Sequence, residues 1–267
     1  MKNFILLILL ALSLLACSGT ESLGIDKIPP EKPEMIPHLG DSGDTINGQT
    51  NFSFYGFSEM EENGIDTLPD GDKIKIEWEP LLDNDIDYVR IHRFSEQAYL
   101  ADSLAFSNVI DSLTYTGRNY YIDNFQGESQ VVGNSWFYFI EPFDTAGNST
   151  LSDTVCYKIL NKPLVQTPAD FTETDDINEL IFSWEITNDA VSYRIVLFNL
   201  ERQVVWSRIP LDYENTTVPY DGPNLASGDY IFRIESFGYT MQSVPIADKI
   251  YQIPSGSEAA ERLITVN

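Results

Sequence analysis

The chain has 267 residues, in which 41 Asp and Glu outnumber 16 Lys and Arg, giving a net charge of -25. This balance argues against nucleic acid and anionic membrane surfaces as partners, because both bind clusters of basic residues. Apolar residues make up 43% of the chain and aromatic residues 12%, more than a disordered acidic tail contains. We therefore expect a folded protein that binds no nucleic acid.

The first 16 residues have the pattern of a signal peptide. A short basic start is followed by the mostly apolar run 4–15, which is shorter than the roughly 20 residues that span a bilayer. The run ends in Leu14-Leu15-Ala16-Cys17, which resembles the lipobox of bacterial lipoproteins. That resemblance implies lipidation of Cys17 and membrane attachment in the bacterial cell envelope, with the outer membrane as the expected location and its surface or periplasmic face left open. The alternative is an ordinary secretory signal that contains a cysteine.

The segment after Cys17 is predicted to be a tether. Residues 17–38 are small or polar at first and then rich in proline, which keeps a chain extended. The second cysteine, Cys156, lies in an apolar, strand-like run and is predicted to be buried and inert. With Cys17 lipidated, no intramolecular disulfide can form.

Beyond the tether, short runs rich in β-branched and aromatic residues recur between Gly, Pro, Asn and Asp, which is typical of an all-β sandwich or barrel. Strands are predicted at 72–79, 88–94, 120–123, 135–143 and 153–160, and again at 179–186, 192–199, 203–209, 216–219, 229–237 and 246–253. Inward-facing aromatic residues are predicted at Trp78, Trp136, Tyr138, Trp184 and Tyr230.

The two halves repeat one pattern. The run 74–79, IKIEWE, matches 180–185, LIFSWE, and each alternates apolar residues up to a Trp. Tyr88 then matches Tyr193, and the run 136–140, WFYFI, matches 230–234, YIFRI. This order resembles fibronectin type III domains, and the run 143–149, FDTAGNS, resembles the turn after strand F in their bacterial form. The resemblance implies an all-β fold of two tandem immunoglobulin-like (fibronectin type III) β-sandwiches after a lipoprotein signal peptide.

The predicted organisation follows from these patterns. It comprises a signal peptide at 1–16, a lipidated Pro-rich tether at 17–38, a first domain at 39–161 with an insertion at about 40–70, a second domain at 162–254 and a C-terminal tail at 255–267. The boundary is placed at the short, Pro-punctuated junction Asn161-Lys162-Pro163.

The insertion carries an excess of aromatic residues, Phe52, Phe54, Tyr55 and Phe57. A sandwich needs no core residue there, and both sugars and proteins dock on exposed aromatic faces. These four are therefore the predicted binding residues. The alternative, that the insertion folds back and buries them, stays open.

The sequence offers little material for a metal centre. Asp83, Asp85 and Asp87 form a D-x-D-x-D run, but an EF-hand needs Gly at its sixth position and Glu at its twelfth. Tyr88 and Phe94 hold those positions, so the run is predicted to be an ordinary loop. We expect no metal and no cofactor.

No catalytic constellation emerges either. The motifs of serine hydrolases, zinc proteases and phosphate-binding loops are missing from the sequence. One of the two histidines, His92, is predicted to share the outer face of a strand with Tyr88 and Arg90, as a surface residue without a partner. We expect no enzymatic activity.

Six Asp residues of the first half are each followed by Ser or Thr and then by a small or aliphatic residue: Asp44, Asp66, Asp102, Asp111, Asp144 and Asp153. This pattern resembles the O-glycosylation sequon of the Bacteroidota. The same dipeptide is also common turn chemistry at the start of a strand, and both interpretations stay open.

The sequence as a whole predicts a lipid-anchored, non-catalytic cell-envelope protein that serves as a binding or spacer module. Its expected partner is an extracytoplasmic protein or polysaccharide. The alternative is an accessory glycan-binding lipoprotein of a polysaccharide-uptake system.

Overall fold

The computed structural model describes residues 26–36, 45–46, 49–50, 65, 72–97, 108–208, 214–244 and 249–267. The strands of the first half are β1 Met35–Ile36, β2 Thr45–Ile46, β3 Gln49–Thr50, β4 Ile74–Trp78, β5 Ile86–Ser95, β6 Asn108–Thr114, β7 Tyr120–Asp123, β8 Ser135–Asp144 and β9 Val155–Ile159. Those of the second half are β10 Val165–Thr167, β11 Thr172–Thr174, β12 Ile181–Trp184, β13 Ser192–Asn199, β14 Val204–Arg208, β15 Thr217–Pro219, β16 Gly228–Val244, β17 Lys249–Glu258 and β18 Arg262–Val266, with a short 3-10 helix at Ile177–Glu179.

The first half is a sandwich in which the sheet β1-β4-β7 faces the four strands β6-β5-β8-β9. Alternation in β4 buries Ile74, Ile76 and Trp78 and leaves the residues between them partly exposed. They pack on inward residues of the opposite sheet, such as Ile91 and Tyr138. This strand order is that of a fibronectin type III-like sandwich, as the sequence predicted.

The second half repeats the plan, with β10-β12-β15 facing β14-β13-β16 and β18. Every predicted strand is present in both halves, and all five predicted core aromatic residues are buried. The all-β, two-sandwich prediction is therefore confirmed. A small hairpin of β2 and β3 lies in the predicted insertion, and Ile65 from the same segment is buried in the first core.

The residues expected to form a C-terminal tail, 255–267, lie in strands instead. Ser255 to Glu258 complete β17, and β18 pairs antiparallel with the start of β16 and parallel with β11. Residues 259–261 separate the two strands, and Ala259 donates its N–H to the Ile234 carbonyl at 2.9 Å. Ile264 and Val266 bury their side chains in the second core, which accounts for the ordered end of the chain.

Part of the predicted tether also lies against the first sandwich. Residues 26–36 include β1, and Pro30, Pro33 and Met35 are buried. Thr150 donates its hydroxyl to the Pro30 carbonyl at 2.6 Å, and Lys32 pairs with an Asp at 2.7 Å. The proline-rich pattern describes an extended segment correctly, but this segment is docked rather than free.

The two sandwiches share one sheet. Strand β17 of the second half pairs parallel with β9 of the first, with Ser255 opposite Lys158 and Gly256 opposite Ile159. The Leu160 N–H donates to the Gly256 carbonyl at 2.9 Å. The result is a ten-stranded sheet that runs through both halves of the described chain.

An apolar contact reinforces this pairing. Ile253 of β17 is fully buried in a cluster with Phe94, Phe137, Phe139 and Cys156 from the outer face of the first sandwich. The prediction that Cys156 is buried is confirmed. Burial raises the pKa of its thiol well above the ordinary value, which keeps the sulfur protonated and unreactive.

The sequence match between Tyr88 and Tyr193 is wrong by one residue. Ile91 pairs with Ile140 in the first half just as Ile195 pairs with Ile234 in the second, so Tyr193 corresponds to Val89. Tyr193 lies in the core, whereas Tyr88 lies on the outer face and stacks on an aromatic ring there. Because successive strand residues face opposite sides, a shift of one residue exchanges core for surface.

Candidate binding surface

The predicted site residues lie outside the described part of the chain. This applies to Cys17, the predicted lipidation site, and to Phe52, Phe54, Tyr55 and Phe57, the predicted binding residues. Their roles stay predictions.

A different aromatic side chain is presented to solvent in the second sandwich. Phe171 lies in the loop between β10 and β11 and is 73% exposed. Its backbone φ is +61°, a left-handed conformation that residues with a side chain rarely adopt. Sparsely populated backbone conformations cost free energy and concentrate at functional sites, where the surrounding structure enforces them.

Hydrogen bonds on both sides hold this loop in place. One oxygen of Asp170 accepts from the N–H groups of Phe171 at 3.1 Å and Leu263 at 2.9 Å. Arg262 donates to the carbonyls of Pro168 and Val165, both at 2.7 Å. The last strand of the chain therefore fixes the loop, so Phe171 is presented without a large entropy loss on binding.

The surroundings of Phe171 are strongly acidic. The run 168–179, here called the Phe171 surface, contains five exposed acids and no Lys or Arg: Asp170, Glu173, Asp175, Asp176 and Glu179. A rigid aromatic residue in an acidic field suits a partner that offers an apolar pocket with a basic rim. An isolated Phe within a polar, acidic run is the sequence signal that marks this surface.

One buried charge network lies at an end of the first core. Arg93 donates to Asp123 at 2.7 Å, and the hydroxyl of Tyr138 donates to the same carboxylate at 2.9 Å. The guanidinium also lies 4.9 Å from the ring centroid of Trp136. Burial raises the pKa of Tyr138, and the nearby Asp123 raises it further. The carboxylate and the phenol are almost fully buried, so this arrangement stabilises the core and offers no access to a substrate.

A second network lies on the outer face of the second sandwich. Arg194 pairs with Glu235 at 2.5 Å, and Arg233 pairs with Glu235 at 2.8 Å and with Glu258 at 3.2 Å. All four side chains are completely buried. Pairing offsets the large cost of taking charges out of water, so removal of one partner would be strongly destabilising.

His92 departs from its predicted surface position. It lies on the outer face, as expected, but it is only 8% exposed and stacks on Phe139 with ring centroids 4.3 Å apart. Its Nε2 lies 3.1 Å from a carboxylate oxygen of Glu141. Burial lowers the pKa of His92 from its ordinary value, and the hydrogen bond to Glu141 opposes that effect. The prediction failed because the ring of Phe139 on the neighbouring strand covers His92 on this face.

Three acids converge where the lead-in segment meets the loops of the first sandwich. Carboxylate oxygens of Asp26, Asp85 and Asp144 lie within 4.8 Å of one another. One oxygen of Asp144 accepts from the N–H groups of Ala146 and Asn148, and the other accepts from the Asn148 side chain. Partial desolvation raises the pKa of Asp144, but these hydrogen bonds outweigh it and the pKa is lowered overall. Donors of the protein itself already bind the buried carboxylate of Asp144, so its role is to stabilise the turn at 144–148.

No family model and no curated protein matches the chain. Among solved structures, the chain is similar to the FN1–FN3 domains of chicken CNTN1, with a TM-score of 0.39 and 11% identity over 90% of this chain and 68% of that one. It is also similar to fibronectin(III)-like modules of Clostridium thermocellum CbhA, with a TM-score of 0.29 and 14% identity over 71% of this chain and 87% of that one.

The strand order and pairing of both halves are those of fibronectin type III-like sandwiches. Within the described residues, no helix is long and apolar enough to cross a membrane.

Proposed function

We propose that this chain is a lipid-anchored, non-catalytic protein of the bacterial cell envelope, which acts as a stiff spacer and binds an extracytoplasmic protein through the Phe171 surface. The single observation that supports this function best is the sheet shared by both sandwiches. Domains joined by a simple linker move relative to each other, whereas backbone pairing and a buried apolar contact oppose such motion. A stiff tandem holds its binding surface at a fixed distance from the docked segment 26–36, which leads to the anchor.

The membrane attachment is supported by the lipobox-like run that ends at Cys17. A net charge of -25 offers no basic surface for anionic lipids, so attachment depends on acyl chains. The test is to express the full chain and its Cys17→Ala variant with an alkyne-tagged fatty acid. We expect label and membrane retention only with Cys17. Equal labelling of both proteins would reject lipidation at this residue.

The binding role is supported by the exposure and fixed geometry of Phe171. The test is a quantitative pull-down from solubilised envelope with the full chain, its Phe171→Ala variant and its Leu82→Ala variant. Leu82 is the matched control because it is 75% exposed but lies in the first sandwich, outside the Phe171 surface. We expect a protein to be retained by the wild type and the control and lost with Phe171→Ala.

The charge of the surface adds a second readout. Rising salt should weaken retention, because the interaction of five acids with a basic rim is screened. Recovery of polysaccharide instead of protein, insensitive to salt, would favour the accessory glycan-binding alternative. Equal retention by all three proteins would reject the Phe171 surface.

A further inference from the structure

The Phe171 surface contains the strand at one end of the shared sheet. Strand β11 follows Phe171 directly and pairs with β18 on one side. On its other side no strand of the described chain pairs with it, so the sheet ends there. An open edge presents backbone donors and acceptors with which the strand of another protein can pair.

The backbone groups on the open side of β11 are those of Glu173. The Asn267 N–H on β18's side donates to the Thr174 carbonyl at 2.9 Å, so Thr174 directs its backbone toward β18. In a parallel ladder, successive residues direct their N–H and C=O groups to opposite sides. Those of Glu173 therefore point away from β18, and an added strand can bond to both without breaking a bond of the sheet.

This edge is ordered before a partner binds. Three residues of β11 pair with β18, and the Asn267 side chain donates to Asp175 at 3.0 Å just beyond the strand. The loop before the strand is fixed by hydrogen bonds of Asp170 and Arg262. A preformed edge lowers the entropy cost of adding a strand.

The run 169–177 lacks the residues that commonly protect a sheet edge. Lys or Pro on an edge strand normally opposes pairing with another chain. This run contains no Pro, Lys or Arg, and Glu173 is exposed. Because β11 is only three residues long, side chains around it have to supply part of the binding energy.

The side chains beside the edge define the chemistry of the added strand. Glu173 is opposite Thr265, whose hydroxyl donates to Asp229 at 2.7 Å, so two exposed acids lie on the outer face there. The other face continues the second core, since Thr172 is opposite the buried Ile264. A strand with basic residues on one face and apolar residues on the other complements both faces.

We propose that the partner of the Phe171 surface contributes an extended segment of alternating basic and apolar residues, which adds to the sheet as a strand beside β11. Its backbone bonds to Glu173, and its basic side chains pair with Glu173 and Asp229. This inference rests on the proposed protein-binding role and adds the mode of recognition. It does not depend on the membrane attachment.

The test is an NMR titration of the full chain in detergent, labelled with nitrogen-15 and deuterium. The probe is a capped nine-residue peptide of alternating Lys and Val. We expect a saturable shift of the Glu173 amide signal, which is assigned with Glu173→Gln, because this amide gains a carbonyl acceptor. The same peptide with N-methylated central amides keeps its charges but cannot pair, so it should bind about tenfold more weakly or less. No saturable shift, or equal affinity for the methylated peptide, would overturn the proposal.

Two substitutions separate the backbone of Glu173 from its side chain. Glu173→Ala and Glu173→Pro both remove the charge, but only Pro removes the N–H. Followed at the Phe171 amide, binding should persist in Glu173→Ala and be about tenfold weaker in Glu173→Pro. Equal affinities would reject backbone pairing; if Glu173→Pro does not fold, the methylated peptide makes the same comparison on the unaltered protein.

The pull-down with Phe171→Ala distinguishes this inference from the proposed function. If the peptide fails to bind while Phe171→Ala loses the envelope protein, strand addition is rejected and the binding role of Phe171 stands. If Phe171→Ala retains the envelope protein, the Phe171 surface itself is rejected.

Discussion

Lys158 on the last strand of the first sandwich forms an ion pair with Asp189 of the second sandwich, with 2.7 Å between Nζ and Oδ2. The Asp189 side chain is 60% exposed, so water and salt screen the pair. The nearby contact made by Ile253 is fully buried and apolar. Two contacts between the same sandwiches therefore differ in their physical basis, and they should differ in energy.

Replacement of Ile253 by Ala should lower the free energy of unfolding by about 2–5 kcal/mol, because it opens a cavity among aromatic rings. Lys158→Met, which keeps an apolar stem and removes the charge, should cost less than about 1 kcal/mol. Urea unfolding monitored by tryptophan fluorescence measures both values. A larger loss with Lys158→Met than with Ile253→Ala would contradict the view that the apolar contact holds the sandwiches together.

Two phenylalanines with the same unusual backbone conformation provide a matched pair. Phe171 and Phe125 have φ values of +61° and +52°, but Phe171 is 73% exposed and Phe125 is 4% exposed. Glycine adopts this conformation without strain, at the cost of greater freedom in the unfolded chain. Phe171→Gly should therefore change the free energy of unfolding by no more than about 1 kcal/mol.

Phe125→Gly should cost about 3 kcal/mol or more, because the ring packs on Trp136 in the core. Thermal unfolding of the two variants gives the comparison. A similar decrease in the free energy of unfolding for both variants would mean that the Phe171 side chain stabilises the fold, which would contradict a role in binding alone.

The burial of His92 predicts an acid-sensitive component of stability. Because its pKa is lowered by burial, the folded state binds the proton less readily than the unfolded state. The stability that the neutral, buried His92 contributes is fully present above its ordinary pKa of 6.5. It is lost as the pH falls from there through the lower pKa of the folded state. His92→Gln, which still donates to Glu141 but does not titrate, should have a flatter stability profile in this window. A His92→Gln profile as steep as that of the wild type would contradict this assignment.

Gly222 is required by a close approach of two aromatic rings. A Cβ atom at this position would lie 2.5 Å from Cδ1 of Trp206 and 2.6 Å from Cζ of Tyr220. Gly222→Ala should cost about 1–3 kcal/mol, because neither ring is free to move within the core. Near-ultraviolet circular dichroism should change as the rings shift. Asn224→Ala, at an exposed position nearby, should leave both the spectrum and the stability unchanged.

The sequence predicted the central strands well, because alternation of apolar and polar residues reports burial directly. In β4 the pattern IKIEW translates residue by residue into buried and partly exposed positions. Strand β6 was missed because it lies at a sheet edge, buries none of its residues fully and therefore carries no clear alternation. The one-residue error between Tyr88 and Tyr193 has a different cause. The match paired two residues of the same type, although alternation predicted Tyr88 on the outer face of its strand and Tyr193 is buried in the core.

The candidate sites were harder to predict. The pairing of β9 with β17 joins residues nearly a hundred positions apart, and parallel pairing leaves no local mark in the sequence. The exposure of Phe171 depends on Arg262 and Leu263 from the end of the chain. The open edge of β11 becomes visible only when its parallel pairing with β18 is known.

Because the two sandwiches share a sheet, the first sandwich cannot form all of its contacts until the second has been synthesised. A chain grows from its amino terminus, so the first sandwich is synthesised before β17 exists. Until then, Phe137 and Cys156 lack their contact with Ile253, and β9 lacks its parallel neighbour. An apolar patch beside an open strand edge promotes aggregation, so a product that stops before residue 249 carries a defect in both halves. The first sandwich is therefore fully covered and paired only after β17 has been synthesised.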